Sequence, residues 1–182
     1  MNQYRIRCSY EKEGIAKFIS NRNLQRIMER SLRRLDIPLK FTEGFSPHPK
    51  MSFGFALPIN VSGSNEYFDF FITEKININQ LLEEFNSFLP EGLKSKHFFY
   101  TNNDDKPLTD TSTEALYTIK LTELGYNLLE PFGEIVEKDT QQVVIKTKLN
   151  NFSHKGMLAL LMEGKILSIH REIIGNDIQN GK

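Results

Sequence analysis

Tryptophan is absent from this 182-residue sequence, and cysteine occurs once, as Cys8. A single thiol excludes an internal disulfide and any cysteine-based metal cage. No apolar run approaches the ~20 residues that a membrane span needs. The N-terminus, Met1-Asn2-Gln3-Tyr4, enters a strand-like pattern directly and shows no signal peptide. Phosphate-cradling patterns of the Gly-x-Gly-x-x-Gly or Gly-x-x-x-x-Gly-Lys-Ser/Thr type are missing, as is a Gly-x-Ser-x-Gly nucleophile elbow. None of His48, His97, His154 and His170 has a neighbour at zinc-ligand spacing. These absences predict a cytoplasmic protein with no metal, no cofactor, no membrane contact and no complete catalytic signature of its own.

What is present suits a globular chain. Hydrophobic residues make up 39%, and 14 phenylalanines make ring packing the expected core chemistry. Net charge is zero, but it is unevenly placed. Residues 1–50 hold 11 Lys and Arg against 5 Asp and Glu, a net of +6, and the remaining residues carry the compensating −6. Such asymmetry fits an anionic partner for the basic part, or internal neutralisation by the acidic part.

Periodicity organises the chain into two α+β halves. Residues 4–11 alternate, with Tyr4, Ile6, Cys8 and Tyr10 on one face and Arg5, Arg7, Ser9 and Glu11 on the other, as in a half-buried strand. Ser20 is placed to cap a helix that runs to about Asp36. Its apolar side carries Leu24, Ile27, Met28, Leu32 and Leu35, and its far side Arg22, Arg26, Arg30 and Arg33. Strands are expected at 38–43, 51–57, 66–73 and 96–100, a turn at 61–65, and a second helix at 79–89. This order predicts a ferredoxin-like, split βαβ antiparallel sheet over residues 1–100 with its helices on one face. The polar stretch 101–114 reads as a linker. A smaller α+β half over 115–176 follows, with strands at 116–121, 134–137, 143–149 and 165–174 and a helix at 153–162. It reads as a degenerate second copy of the plan or as an unrelated unit. Residues 177–182 read as a frayed tail.

The segment Gly44-Phe45-Ser46-Pro47-His48-Pro49-Lys50 is the most informative. Gly44 permits a positive φ, while Pro47 and Pro49 fix their own φ and push Ser46 and His48 toward extended backbone. The expectation is a stiff loop holding His48 in a set direction, with Glu43 at its base. It is either a binding or proton-handling site around His48 and Glu43, or a rigid turn covering the core with Phe45. One histidine without a placed partner favours the rigid turn. The basic rows carry more. Arg22, Arg26, Arg30 and Arg33 on one helix face, with Arg5, Arg7 and Lys50, are candidates to track RNA phosphates; the alternative is a solvated surface. Glu29 lies one turn before Arg33, so only that arginine has an intrahelical partner.

The ordered motifs Phe18-Ile19-Ser20, the Arg-rich helix, Glu43-Gly44-Phe45-Ser46-Pro47-His48-Pro49-Lys50-Met51-Ser52-Phe53, Leu57-Pro58 and Glu66-Tyr67-Phe68-Asp69 resemble the radical-SAM-linked family of uncharacterised proteins. Its members are found beside, or fused behind, a radical SAM protein with a cobalamin-binding-type domain. The match is specific over residues 4 to about 95. One departure is Asn21-Arg22-Asn23, where family members carry a His-Leu-Asp-like triplet. The resemblance implies a radical SAM protein as partner. This chain cannot be that enzyme, because one cysteine cannot hold a [4Fe–4S] cluster. The expected function is therefore an accessory binding protein working with a radical SAM enzyme on RNA, such as tRNA or rRNA. The alternatives are an RNA-processing or RNA-modifying enzyme built around His48, and a protein–protein adaptor that does not touch nucleic acid.

Overall fold

The computed structural model describes residues 3–102, 105–111, 113–122 and 125–174. The expected tail at 177–182 lies outside the described residues. In chain order the elements are β1 (Tyr4–Lys12), α1 (Asn21–Leu32), β2 (Met51–Phe53), β3 (Val61–Ile72), α2 (Leu81–Ser87), β4 (Leu93–Thr101), α3 (Leu108–Thr111), β5 (Glu114–Leu121), β6 (Glu134–Lys138), β7 (Gln142–Lys148), α4 (His154–Met162) and β8 (Ile166–Ile174). The chain is thus α+β, and the eight strands among the described residues belong to one mixed sheet. Its order is β4-β1-β3-β8-β5-β7-β6, with the short β2 also paired to β3. Pairing is antiparallel except between β3 and β8, which run parallel.

Alternation along the strands separates two cores. Ile6, Cys8 and Tyr10 of β1 join Phe68, Phe70 and Ile72 of β3, and α1 and α2 cover them with Leu24, Met28, Leu32 and Phe85. Tyr67, next to Phe68 on β3, belongs to the other cluster, with Tyr117, Ile119, Ile145, Ile169 and Met157 of α4. Adjacent strand residues point to opposite faces. The helices of the chain therefore do not share one face: α1 and α2 pack on one side, α4 on the other. Phe68, Phe70 and Phe85 are fully buried, and truncating any of them to Ala would cost about 3–5 kcal/mol.

Several boundaries differ from the sequence-based expectation, and the strand expected at 51–57 ends already at Phe53. Helix α1 stops at Leu32, because Arg34 and Leu35 donate to the carbonyls three residues back, Ser31 and Leu32, and tighten the last turn. Residues 38–43 make only isolated bridges, Leu39 to Ile72 and Phe41 to Pro49, in place of a full strand. The expected turn at 61–65 is the first half of β3. Val61 to Ser64 find a partner in β8, which comes from more than a hundred residues later in the chain.

The segment read as a linker is also structured where described. It contains α3, whose Leu108 is completely buried in the second core. The seam between the halves carries charge as well. Arg171 of β8 is fully buried and grips Glu66 of β3 with two bonds, Nε to Oε1 at 2.7 Å and Nη2 to Oε2 at 2.6 Å. Its Nη1 and Nη2 also donate to the carbonyls of Ala56 and Phe55. Gly63 makes room at this seam, since a Cβ there would sit 2.8 Å from both Leu57 and Glu66 side-chain atoms.

Candidate functional site

Helix α1 begins where Ser20 accepts a hydrogen bond from the Asn23 amide. Its apolar stripe faces the first core, which leaves Arg22, Arg26 and Arg30 exposed. At about 100° per residue these three, with Arg33, lie within about 80° of the helix circumference. Arg33 is committed: its Nε donates to Glu29 Oε1 at 3.0 Å, its Nη2 reaches the Pro47 carbonyl, and its guanidinium lies 5.2 Å from the Phe41 ring. Arg22, Arg26 and Arg30 make no such bond among the described residues.

The 44–50 loop is the tip of a narrow hairpin docked on this helix. Thr42 N–H donates to the His48 carbonyl at 2.8 Å, and His48 N–H returns to Thr42 Oγ1 at 3.1 Å. Gly44 takes a φ of 122°, the positive value its lack of a side chain permits. His48 Nδ1 lies 3.1 Å from Glu29 Oε1, so Glu29 receives both His48 and Arg33. Burial raises the Glu29 pKa, but the hydrogen bonds and charges of His48 and Arg33 outweigh it and hold the carboxylate below its usual range. The clamp fixes the loop on α1, and Phe45 at the tip is completely exposed.

Several expected site residues sit elsewhere. Glu43 is exposed and makes no described contact with His48; the carboxylate partner is Glu29, on the helix. Arg5 and Arg7 do not reach the surface. They are 5% and 3% exposed, and both bind Asp69. Arg7 reaches it through Nε at 2.7 Å and Nη2 at 3.0 Å, and Arg5 through Nε at 2.6 Å. Arg5 also donates to the carbonyls of Asp105 and Lys106. The strand face that alternation marked as polar is covered, so these two cannot meet phosphates. Lys50 is half-buried, with its ammonium 3.3 Å from Gln3 Oε1 and 4.7 Å from the Phe71 ring centre. Phe71 lies between Phe70 and Ile72, which face the helices, so Lys50 is on the opposite side of the sheet from the α1 arginines. Gly44, Phe45, Ser46, Pro47 and His48 are all exposed, and Pro49 is buried.

The remaining histidines divide. His97 is exposed. His154 bonds the Tyr117 hydroxyl at 3.0 Å, and burial, then the nearby Arg171 charge, push its pKa down to about 4. His170 stands between Ser62 and Ser64. Sequence reading missed that placement and the Glu29–His48 contact, because both depend on tertiary register. No group of three or more His, Cys, Asp or Glu able to hold a metal occurs among the described residues. No helix among them is long and apolar enough to cross a membrane.

A family model described as an uncharacterized protein conserved in bacteria (DUF2344) matches residues 5–169. No curated protein matches the chain. Among solved structures, the small subunit of acetolactate synthase from Thermotoga maritima matches at 13% identity over 95% of this chain and 94% of that one. The TM-score is 0.26, too low to carry an argument. The chain belongs to the bacterial DUF2344 family.

Proposed function

We propose that this family member is an RNA-binding accessory protein that works with a radical SAM enzyme, as the motif resemblance implies. One observation carries the RNA part. The Glu29 clamp holds a hairpin with the fully exposed ring of Phe45 at its tip on the same helix that carries Arg22, Arg26 and Arg30. Guanidinium groups that follow a backbone, with an aromatic on which a base stacks, are the two parts of a single-strand binding platform. A tRNA or rRNA loop offers both an unpaired base and its phosphates. The fold reading that goes with this is a doubled split βαβ unit. In each half the strands run in the relative order fourth, first, third, second: β4-β1-β3-β2, then β8-β5-β7-β6.

The test is fluorescence anisotropy with single-stranded and hairpin RNA at several salt concentrations. If Arg22, Arg26 and Arg30 each engage one phosphate, log affinity falls against log salt with a slope of about −2, from about −0.7 per phosphate on a single strand. The triple charge reversal of these arginines to Glu abolishes binding, and Phe45→Ala weakens it by about 1–3 kcal/mol. Absence of binding at low salt, with and without the radical SAM protein, rejects the reading. It leaves the adaptor in front, which the exposed Ile15, Phe18 and Ile59 favour.

A further inference from the structure

We propose that Ser64 and His170 form a nucleophile–base pair for acyl transfer on the sheet face opposite α4, with Ser62 as its positioning residue. This goes beyond RNA binding and uses none of the α1 residues. The parallel register of β3 and β8 sets Ser62 against His170 and Ser64 against Glu172. Ile169, Arg171 and Ile173 point into the second core, so His170 and Glu172 project from the other face, half-buried and open to solvent.

The distances define the pair. Ser64 Oγ lies 2.9 Å from His170 Nε2, and Ser62 Oγ lies 3.1 Å from His170 Nδ1. Ser62 Oγ is also 3.1 Å from the Ile169 carbonyl, which can only accept. A hydroxyl has one proton. With that proton on the Ile169 carbonyl, Ser62 accepts from Nδ1–H. Nε2 then keeps its lone pair and accepts from the Ser64 hydroxyl. This is the geometry of an activated serine: a base within hydrogen-bond reach, itself oriented by a third group. The backbone supports the placement. Asn65, the next residue, holds a φ of 52°, and the β1 register slips opposite it between Tyr10 and Lys12. Such bulges re-aim side chains at functional sites. Asn65 Nδ2 donates to Glu172 Oε1 at 3.0 Å. The amide carries a second N–H, available to a developing oxyanion beside Ser64.

The substrate class is a carboxylic ester. Ser64 Oγ bonds to the acyl carbon as its proton passes to His170 Nε2. The C–O bond to the alcohol breaks, and the alcohol leaves with the Nε2 proton. Water then repeats the sequence: His170 takes its proton, the acyl–Ser64 bond breaks, and the carboxylic acid departs with the serine hydroxyl restored. No oxidant or metal is needed.

The full-length protein is treated with a fluorophosphonate probe and read by intact mass and peptide mapping. One adduct is expected, on Ser64. His170→Gln slows labelling by about a hundredfold or more, the least that loss of a general base costs. Ser62→Ala slows it, and Ser62→Thr, which restores the hydroxyl, recovers it; a merely structural serine would show no such recovery in rate at equal melting temperature. Ser64→Ala, the smallest change, abolishes turnover of p-nitrophenyl acetate. No adduct on Ser64 in the wild type overturns the proposal, whatever the variants do. So does undiminished labelling in His170→Gln. If that variant does not fold, His170→Asn takes its place.

Discussion

Six arginines, similar in the sequence, end in two kinds of surroundings. Arg5, Arg7 and Arg171 are buried, and each is held by a carboxylate on β3. Arg22, Arg26 and Arg30 are exposed and make no described ion pair. The buried three tie the strands together: Arg5 and Arg7 join β1 to Asp69, and Arg171 joins β8 to Glu66 across the parallel seam. The exposed three contribute nothing visible to the fold. A row of like charges on a helix whose other face is apolar is therefore the better sign of an interaction surface. A pair of charges alternating on a strand depends on what covers that strand.

The comparison breaks most directly at Asp69, where the largest effect is expected. Asp69→Asn leaves two buried guanidiniums with no anion. Removing one partner of a buried pair costs about 3–5 kcal/mol. The single reversal Arg26→Glu stays within about 0.5 kcal/mol of the wild type, as exposed substitutions do. Urea denaturation checks both, through the midpoint at unchanged slope. A mild effect of Asp69→Asn would show that water reaches the pair and that Arg5 and Arg7 belong with the surface group after all.

The same contrast explains what was legible in the sequence. Helical spacing placed Leu24, Met28 and Leu32 in the core and left Arg22, Arg26 and Arg30 outside, because a surface helix has one buried side. Alternation correctly separated Ile6, Cys8 and Tyr10 from Arg5, Arg7 and Ser9. It could not report that the second face would be covered too, since that depends on α3 and on the 105–106 carbonyls, far away in sequence. The non-helical course of the 44–49 loop was legible from Gly44, Pro47 and Pro49. Its partner was not: the choice between Glu43, five residues away, and Glu29, on a different element, is made by how the hairpin folds back. The β3–β8 pairing was the least legible feature. Ser62-Gly63-Ser64-Asn65 has the composition of a turn, and pairing with β8, from more than a hundred residues later, together with Lys12 of β1 makes it strand.

A second test sharpens the buried side by pH. His154 is half-buried beside Tyr117, with Arg171 nearby, and is held neutral down to about pH 4. An unfolded histidine takes a proton near pH 6.5. Between these values the unfolded chain binds more protons than the native one, so stability falls as pH is lowered from about 6.5 to about 4. The part from His154 is on the order of 1–2 kcal/mol once its partial exposure is allowed for. Thermal melts of wild type and His154→Gln across this window check it. The wild type should lose stability relative to His154→Gln as pH falls from about 6.5 toward 4, while the gap between the two stays constant above neutral pH. Parallel curves would mean that His154 charges freely and that the Arg171 neighbourhood is not dry.

The smallest effect belongs to the exposed side, where the hairpin meets α1. Glu29 has a lowered pKa in the native state because His48 and Arg33 hold its ionised form. A carboxylate of this kind contributes stability above its unfolded pKa and loses it as pH falls through the native one. Ion pairs this near the surface are worth about 0.2–1 kcal/mol, so global stability barely registers the loss. The position of the loop does register it. Glu29→Gln should free His48 and Arg33 together, and with them the base of the tip that carries Phe45. A fluorophore placed at Ser46 would report the release as a fall in anisotropy at neutral pH in Glu29→Gln. The wild type should show the same fall only under acid conditions, below the ordinary carboxylate range. RNA binding discriminates further. If the clamp matters because it keeps Phe45 beside the arginines, Glu29→Gln weakens affinity although it removes a negative charge from a positive surface. If affinity rises, charge alone governs the surface, and the hairpin plays no part in it.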